Sequence, residues 1–241
     1  MTMGAPRVVN NPAGGYRFLS SEARPFSHGV VADADFDLTH ATFERPVPLE
    51  EGIEAAVRHV AAAARPAAAI AGFELRSPKP LSQADFEAFN RGYIAILRRV
   101  GIEVDGLIPA ARTNVAPVVG AVDRPSVFGF TYTVPARGAP SAFLMAGVPE
   151  EVSGDARVML RNITQILAAR ASTLGCRLSD STAVQVYAAG ALDPDAIADV
   201  ATELGDAAIH GLRWFPSLPP IEGLKYEIDA RAARTELVIS P

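Results

Sequence analysis

Apolar residues recur along the chain at two spacings, and the spacing changes from one segment to the next. A spacing near 3.6 residues, which places apolar side chains on one face of a helix, marks four segments. The predicted helices are Leu49–Ala64, Gln83–Val100, Asp155–Leu174 and Pro194–Leu204. Glu50 and Glu51 favour the positive end of the first helix dipole, and Ser82 is a typical N-terminal cap for the second helix.

Shorter apolar segments, bounded by glycine and proline, separate these helices and are typical of strands. The predicted strands are Ala67–Leu75, Thr113–Val119, Val127–Val134, Ser141–Val148, Thr182–Ala188, His210–Phe215 and Leu224–Ala232. Residues 26–43 alternate imperfectly between apolar and polar, which predicts a hairpin or one long bent strand. Residues 1–15 are rich in glycine, proline and asparagine without a period, and this composition predicts a loosely held, flexible leader.

The order of the predicted elements starts again after the proline- and glycine-rich segment Pro135–Pro140. The two halves share an order of strands and helices, offset by roughly 100 residues, as in a repeat of architecture. With 241 residues, the chain is long enough for two domains of modest size. We therefore predict an α+β fold with an N-terminal domain over residues 16–136 and a C-terminal domain over residues 137–241.

Composition and charge narrow the class of protein. The chain is 49% hydrophobic and 20% charged, as expected for a soluble globular protein. Its net charge of −5 offers no basic surface for a phosphate backbone, so nucleic acid is not an expected partner. The lone Cys176 cannot form an internal disulfide, which indicates a reducing compartment such as the cytoplasm. Arg65 and Pro66 interrupt the longest alanine-rich stretch, and neither a signal peptide nor a membrane span is expected.

The second half contains several distinctive segments in a fixed order. AFLMAG at residues 142–147 precedes the helix that contains Arg161-Asn162-Ile163, and VQVYAAGALDPD follows at residues 184–195. The tail reads GLRWFPSLPPIEGLKYEIDARA at residues 211–232. Over about residues 141–233, this half resembles the RidA/YjgF (Rid) family.

The first half resembles the same family more weakly, through PFSHGV at residues 25–30 and the turn Ala111-Arg112-Thr113. The resemblance implies two tandem Rid-like (chorismate-mutase-like) domains, each a mixed sheet with two helices packed on one face. It also implies a homotrimer with ligand sites at the subunit interfaces.

Two charged residues of the tail match functional positions of the family. Arg213 matches the arginine that binds a substrate carboxylate, a role that suits the two parallel bonds of a guanidinium. The alternative for Arg213 is a pairing with Asp206 at a strand edge. Glu227 matches the glutamate thought to hold the hydrolytic water, and burial would raise its pKa toward values useful for proton transfer. The alternative for Glu227 is a solvated strand face shared with Asp229.

Four further residues are candidate substrate contacts. Arg112 matches a second carboxylate-binding arginine, although the strand after it offers no glutamate. Trp214 replaces a small residue of the family and is expected either to stack on an unsaturated acid or to fill a core or subunit interface. Ser27 and His28 lie in a segment near the ligand, but adjacent strand residues face opposite ways and cannot pair as nucleophile and base.

The resemblance implies a cofactor-free hydrolytic deaminase that converts an enamine, imine or amino-diene carboxylic acid to a carbonyl compound and ammonia. Arg213, with Arg112, would bind the carboxylate, and Glu227 would position water. Two arginines suit a dicarboxylate such as 2-aminomuconate or a substituted relative, a substrate of aromatic catabolism. Two other functions stay open: a non-catalytic small-acid-binding or regulatory trimer, and a chorismatase-like enzyme. No metal-binding motif is present in the sequence.

Overall fold

The computed structural model describes residues 6–20, 26–138, 141–149, 155–188, 190 and 194–241, which form an α+β fold as predicted. The strands are β1 (Arg7–Asn11), β2 (Tyr16–Ser20), β3 (Gly29–Ala32), β4 (Phe36–Pro48), β5 (Ile70–Arg76), β6 (Ala111–Pro117), β7 (Ser126–Pro135), β8 (Phe143–Gly147), β9 (Ala183–Ala188), β10 (Leu212–Leu218), β11 (Tyr226–Ala232) and β12 (Thr235–Ile239). The helices are α1 (Leu49–Ala62), α2 (Gln83–Arg99), α3 (Ala156–Leu174) and α4 (Pro194–Leu204).

All four helices begin and end within two residues of their predicted bounds, because local signals set their ends. The Ser82 hydroxyl accepts a hydrogen bond from the backbone N–H of Asp85 and caps α2. The Asp155 carboxylate caps α3 in the same way, by accepting from the backbone N–H of Arg157. At the other end of α3, Gly175 adopts a φ of 76°, a left-handed conformation that glycine adopts without steric cost.

The two halves of the chain repeat one arrangement. The first half runs β4-α1-β5-α2-β6-β7, and the second runs β8-α3-β9-α4-β10-β11. Within each half-sheet the strands lie in the same order, β6-β5-β7-β4 and β10-β9-β11-β8. In both halves the second strand pairs parallel to the third and antiparallel to the fourth. The predicted pair of similar halves, each a mixed sheet with two helices, is therefore confirmed.

The halves exchange strands at their outer edges. β3, from the start of the chain, pairs antiparallel with β8 and extends the second half-sheet through β2 and β1. β12, from the end of the chain, pairs parallel with β4 of the first half-sheet. The division at residues 136 and 137 stays a prediction about folding units, but the strand pairing crosses it twice.

Two segments near the N-terminus differ from their predicted structure. Arg7–Asn11 pairs with β2 as a regular strand, where the sequence predicted a flexible leader; residues 1–5 of that leader lie outside the described residues. The segment 26–43 is neither a hairpin nor one strand, because β3 and β4 separate into different half-sheets. Local alternation identifies a strand but does not identify its partner.

The half-sheets face each other, and the helices cover their outer faces. One core lies between the first half-sheet and α1 and α2, and a second lies between the other half-sheet and α3 and α4. A third core, between the half-sheets, is made by small and apolar residues that include Ala71, Ala111 and Leu144. β6 and β10 join the half-sheets into one sheet through two residue pairs, Ser217 with Pro117 and Leu218 with Ala116.

Candidate active site

Strand β11 carries charged side chains into the space between the half-sheets. Its apolar residues Ile228 and Ala230 point to the core under α3 and α4. The alternating residues Glu227, Asp229 and Arg231 therefore face the first half-sheet. Their exposed fractions are 3%, 0% and 1%, so all three charges are removed from water. Charged groups are rarely buried this completely unless they are paired.

Asp229 and Arg231 are paired within a buried polar network. The Asp229 carboxylate accepts hydrogen bonds from Thr113, Gln185 and Tyr187 at 3.0–3.2 Å. An Arg231 nitrogen lies 3.6 Å from Asp229 and 3.3 Å from Glu74, which lies on the opposite half-sheet. This network fixes the two half-sheets relative to each other.

Burial and neighbouring charges act differently on the two acids of this network. Burial, together with the charge of Glu74, raises the pKa of Asp229 to about 6. Burial also disfavours the charged form of Glu74, but the neighbouring His40, Arg231 and Arg76 outweigh this effect and lower the pKa of Glu74. A cavity of about 10 Å³ beside this network, lined in part by Glu74 and Thr113, has room for about one water molecule.

Glu227 is held differently from Asp229. One oxygen, Oε1, accepts a hydrogen bond of 3.0 Å from the backbone N–H of Asn114 on β6. The other oxygen, Oε2, is buried and has no hydrogen-bond partner among the described residues. Burial raises the pKa of Glu227 to about 8, although the Asn114 hydrogen bond and the charge of Arg112 act to lower it. Glu227 therefore exchanges protons near neutral pH.

The edge of β6 makes this arrangement possible. In the described part of the chain, β10 pairs with β6 at residues 116 and 117, so the edge of β6 before those residues is left open to the Glu227 side chain. Arg112 and Asn114 are two positions apart on β6 and point to the same face. This is the α2 face, because their partners on β5, Phe73 and Leu75, belong to the core under α1 and α2.

Arg112 lies in an aromatic environment under α2. Its guanidinium donates a hydrogen bond of 2.9 Å to the Asn90 side chain. Four rings lie within 6 Å of the guanidinium carbon, which are those of Phe26, Phe86, Phe89 and Tyr93. The Tyr93 hydroxyl is buried without a hydrogen-bond partner among the described residues. A cation with aromatic walls and a spare hydroxyl donor is suited to a flat carboxylate.

A second guanidinium, that of Arg76, also lies in the neighbourhood of Glu227. It is buried and lies over the rings of Phe128 and Tyr187, at 4.3 and 5.5 Å. One of its nitrogens is 3.6 Å from Glu74, which partly neutralises its charge. The charge of Arg76 acts to lower the pKa of Glu227, but less strongly than the charge of Arg112.

Arg213 pairs with a carboxylate that the sequence did not indicate. Its guanidinium makes two hydrogen bonds, of 3.0 and 3.3 Å, to the carboxylate of Glu236 on β12, and its side chain is 47% exposed. Glu236 in turn pairs with Arg231 at 3.0 Å. The partner is therefore neither Asp206 nor Glu227, because the arrival of β12 supplies a nearer carboxylate. A role of Arg213 in binding substrate stays a prediction.

The other three candidate contacts have packing or hydrogen-bond partners within the chain. Trp214 is partly buried and packs against the core under α3 and α4, which agrees with the alternative of a packing role. The buried Ser27 hydroxyl donates to the carbonyl of Gly29 and accepts from its N–H. The backbone N–H of His28 donates to the carbonyl of Leu19. Substrate contact by these three residues stays a prediction, and Pro25 of the same segment lies outside the described residues.

The structure also brings together segments that the sequence could not connect. Phe26 of the PFSHGV segment forms a β-bridge with Ile108 and lies 4.9 Å from the Arg112 guanidinium carbon. The sequence pattern did not reveal Asn114 or Arg76 as neighbours of Glu227, or Glu74 as a neighbour of Arg231. The available signal was the pair of charges in GFELR, at alternating positions of an otherwise apolar strand.

The described residues contain neither a metal-binding cluster nor a membrane-spanning helix. No group of three or more histidine, cysteine, aspartate or glutamate side chains in the described ranges is arranged to hold a metal ion. Within the same ranges, no helix combines the length and apolar character needed to cross a membrane.

Comparison with known proteins defines the class of this one. The chain is 34% identical over 251 residues to 2-amino-5-chloromuconate deaminase from Comamonas testosteroni, and the match covers 96% of this chain and 98% of that protein. The present chain is therefore a deaminase, an enzyme that acts on a C–N bond of a small molecule, as the sequence predicted. The model of the family described as 2-aminomuconate deaminase CnbZ matches residues 8–163 and 156–237. The chain belongs to that family.

Solved structures with lower similarity were also found. A member of the YjgF/YER057c/UK114 family from Mycobacterium tuberculosis is 20% identical, with a TM-score of 0.30, and the match covers 38% of this chain and 78% of that chain. A chorismatase is 13% identical, with a TM-score of 0.46, and the match covers 96% of this chain and 80% of that chain.

Proposed function

We propose that the protein hydrolyses 2-aminomuconate, or a substituted relative such as a halogenated 2-aminomuconate, to the corresponding oxo acid and ammonia. The observation that carries this proposal is the enclosed Glu227 carboxyl, with a pKa of about 8 and one oxygen without a partner among the described residues. Enzymes tune acid–base groups to such values so that both forms are available near neutral pH. The name of the Comamonas relative supports the substrate class.

Arg112 is the proposed anchor for a substrate carboxylate. Its guanidinium provides charge-assisted hydrogen bonds, and the surrounding rings of Phe26 and Tyr93 offer flat faces to a conjugated carbon chain. Its charge also acts on Glu227, which supports a shared site for the anchor and the acid–base group. This layout assigns the anchor to the first half of the chain and the acid–base group to the second.

The proposed reaction needs only positioning and proton transfer. The enamine takes up a proton from solvent at carbon and becomes an iminium ion, and water attacks the iminium carbon while the Glu227 carboxylate takes a proton from that water. The product of this step is a neutral carbinolamine beside a protonated Glu227. The acid then protonates the amino group, and the C–N bond breaks as the hydroxyl oxygen forms the carbonyl and returns its proton to Glu227. The ketone leaves, and Glu227 passes its proton to ammonia, which leaves as ammonium. The carboxylate is thereby restored, and the proton taken up at the start balances the charge.

Assembly and location are proposed from the resemblance and the composition. The resemblance to the Rid family supports a homotrimer. The lone Cys176 supports a cytoplasmic location, and the proposed substrate belongs to aromatic catabolism. Light scattering on the purified protein measures the assembly directly. A mass of three chains supports the homotrimer, and any other mass contradicts it.

The test is ammonia release from 2-aminomuconate by the purified full-length chain. We expect Glu227→Gln to lower kcat by about 10²–10⁴-fold, because the amide cannot take a proton. For the wild type, kcat/KM should rise with pH and level off above about pH 8, where the carboxylate dominates. Arg112→Ala should mainly raise KM, because the carboxylate loses its anchor.

The matched control is Glu222→Gln, which changes an exposed glutamate five positions before Glu227. This variant should keep the activity of the wild type. Ammonia release by Glu227→Gln at the wild-type rate would overturn the proposal. If no enamine or imine acid is hydrolysed while Arg112→Ala weakens acid binding, a binding or regulatory protein is favoured instead.

A further inference from the structure

We propose that the side-chain amide of Asn114 belongs to the reaction centre, where it and Glu227 together bind the attacking water. The inference rests on the proposed function of Glu227 and adds a second water-binding group to it. Asn114 is 2% exposed and lies on β6, at the strand edge that Glu227 approaches. The sequence pattern by itself does not mark Asn114 as a functional residue.

Hydrogen bonds fix the orientation of the Asn114 amide. Its oxygen, Oδ1, accepts a hydrogen bond of 2.8 Å from the Ser77 hydroxyl at the end of β5. The nitrogen Nδ2 is therefore turned away from Ser77, and it is buried with no hydrogen-bond partner among the described residues. A buried donor without a hydrogen-bond partner is energetically unfavourable, so a partner for Nδ2 is expected.

The partner that this donor requires is indicated by Glu227. The backbone N–H of Asn114 donates to Oε1 of Glu227, so the two residues are in direct contact at the edge of β6. Among the described residues, two buried polar atoms of this pair have no hydrogen-bond partner: the donor Nδ2 of Asn114 and the carboxyl oxygen Oε2 of Glu227. A water molecule would satisfy both, because it accepts from Nδ2 and donates to Oε2. This pairing leaves one lone pair of the water free, and it directs one proton toward the carboxylate.

The position of Arg112 fits the same arrangement. Arg112 and Asn114 lie two residues apart on one face of β6, a spacing of about 6.6 Å along the strand. A substrate whose carboxylate is bound by Arg112 can therefore place a nearby carbon next to the water at Asn114 and Glu227. In the hydrolysis proposed above, Asn114 would hold the oxygen in line with the iminium carbon while the proton passes to Glu227.

The deciding variant is Asn114→Ala, because it removes the amide and keeps the backbone N–H that holds Glu227. We expect kcat for ammonia release from 2-aminomuconate to fall by about 10²-fold, as for the loss of one positioned donor. KM should change little, because Arg112 still anchors the substrate. The apparent pKa in the kcat/KM profile should stay in place, since the environment of Glu227 keeps its backbone hydrogen bond.

Two further variants separate this role from simple support of the fold. Ser77→Ala removes the hydrogen bond to Oδ1 but leaves Nδ2, so we expect only a small loss of kcat, of about threefold or less. Asn114→Asp is nearly the same size but replaces the donor with a second carboxylate. It should abolish the activity and raise the apparent pKa of Glu227, because like charges disfavour ionisation.

The outcomes distinguish the inference from the function on which it rests. If Asn114→Ala keeps kcat within about threefold while Glu227→Gln is inactive, the water-binding role of Asn114 is overturned and Glu227 is retained. If Glu227→Gln is also active, the proposed function itself fails. If Asn114→Ala does not fold, Asn114→Asp decides: a folded variant with wild-type kcat and pH profile overturns the inference.

Discussion

Equal burial does not give equal acidity to the three carboxyl groups between the half-sheets. Glu227, Asp229 and Glu74 are all nearly excluded from water. Glu74 has cationic neighbours that outweigh its burial and lower its pKa, whereas burial raises the pKa of Asp229 to about 6 and that of Glu227 to about 8. Neighbouring charges offset the effect of burial least at Glu227, and this is the group that we propose for proton transfer.

The free energy of unfolding should depend on the protonation state of Glu227. Its pKa is raised from an ordinary value of 4.5 to about 8, so between these pH values the folded chain keeps a proton that the unfolded chain releases. The stability that goes with the protonated Glu227 carboxyl is fully present below about pH 4.5 and is lost as the pH rises toward 8. We therefore expect Glu227→Gln to gain stability relative to the wild type across this window, measured as the difference in Tm at about pH 5 and pH 8.

The exposed Glu222 again provides the control. Glu222→Gln should differ from the wild type by the same small amount at both pH values, because its carboxyl pays no burial penalty. A difference for Glu227→Gln that is also constant with pH would show that Glu227 titrates normally. That result would remove the basis for its proton-transfer role.

At single residues, the sequence predicted chemistry better than contacts. It identified Glu227 as a carboxyl whose burial would raise its pKa, and the structure has this property. It did not indicate the Glu236 carboxylate that pairs with Arg213, because Glu236 lies on β12, a strand that the pattern had not indicated. It also missed Asn114, whose importance depends on a strand edge that only the joined half-sheets create.

The elements of the fold differ in how much of their information is local. α1 to α4 are specified by periodicity and by caps such as Ser82, so their bounds could be read from the sequence. β1 and β12 are short, partly exposed edge strands. Their alternation is weak, and they are held by pairing with strands that are distant in the chain. This is why both were missing from the predicted order.

The close contact between β5 and β8 can be tested at Gly72. A Cβ atom added there would lie 2.2 Å from Cδ2 of Leu144 and 3.1 Å from the carbonyl oxygen of Ala111. Gly72→Ala should therefore push the half-sheets apart and destabilise the protein by about 1–3 kcal/mol. Denaturant unfolding of the purified variant measures this change.

The matched control is Gly92→Ala, in the exposed middle of α2. Apart from the adjacent residues and the nearby backbone of α2 itself, no heavy atom of the described residues lies within 4 Å of a Cβ added at Gly92, so only helix propensity changes. This variant should stabilise the protein by about 0.8–1 kcal/mol. If Gly72→Ala behaved like Gly92→Ala, the tight packing of the half-sheets would be contradicted.

In the whole molecule, the exchanged strands make the halves depend on each other. β1, β2 and β3 belong to the first part of the chain and complete the second half-sheet, while β12 does the reverse. The core between the half-sheets also contains residues of both half-sheets, including Ala71 and Leu144. Neither half retains its full sheet when it is separated from the other.

A chain split after residue 138 should therefore fold only when both fragments are present. Fragments 1–138 and 139–241, each alone, should aggregate or show no cooperative thermal unfolding, because each lacks edge strands and one face of the shared core. Mixed during refolding, they should recover cooperative unfolding by circular dichroism and ammonia release. Cooperative unfolding of either fragment alone would show that the exchanged strands are dispensable.

By itself, the sequence determined the α+β class, the four helices, the two similar halves and the identity of the proton-transfer candidate. The class, the helices and the repeated order follow from periods, caps and residue types that act over a few neighbouring positions, whereas Glu227 was indicated by the resemblance to the Rid family. Only the tertiary structure decided which strands pair across the halves and which groups surround Glu227. Those choices depend on contacts between residues more than 100 positions apart, such as Asn114 with Glu227, and no local pattern records them.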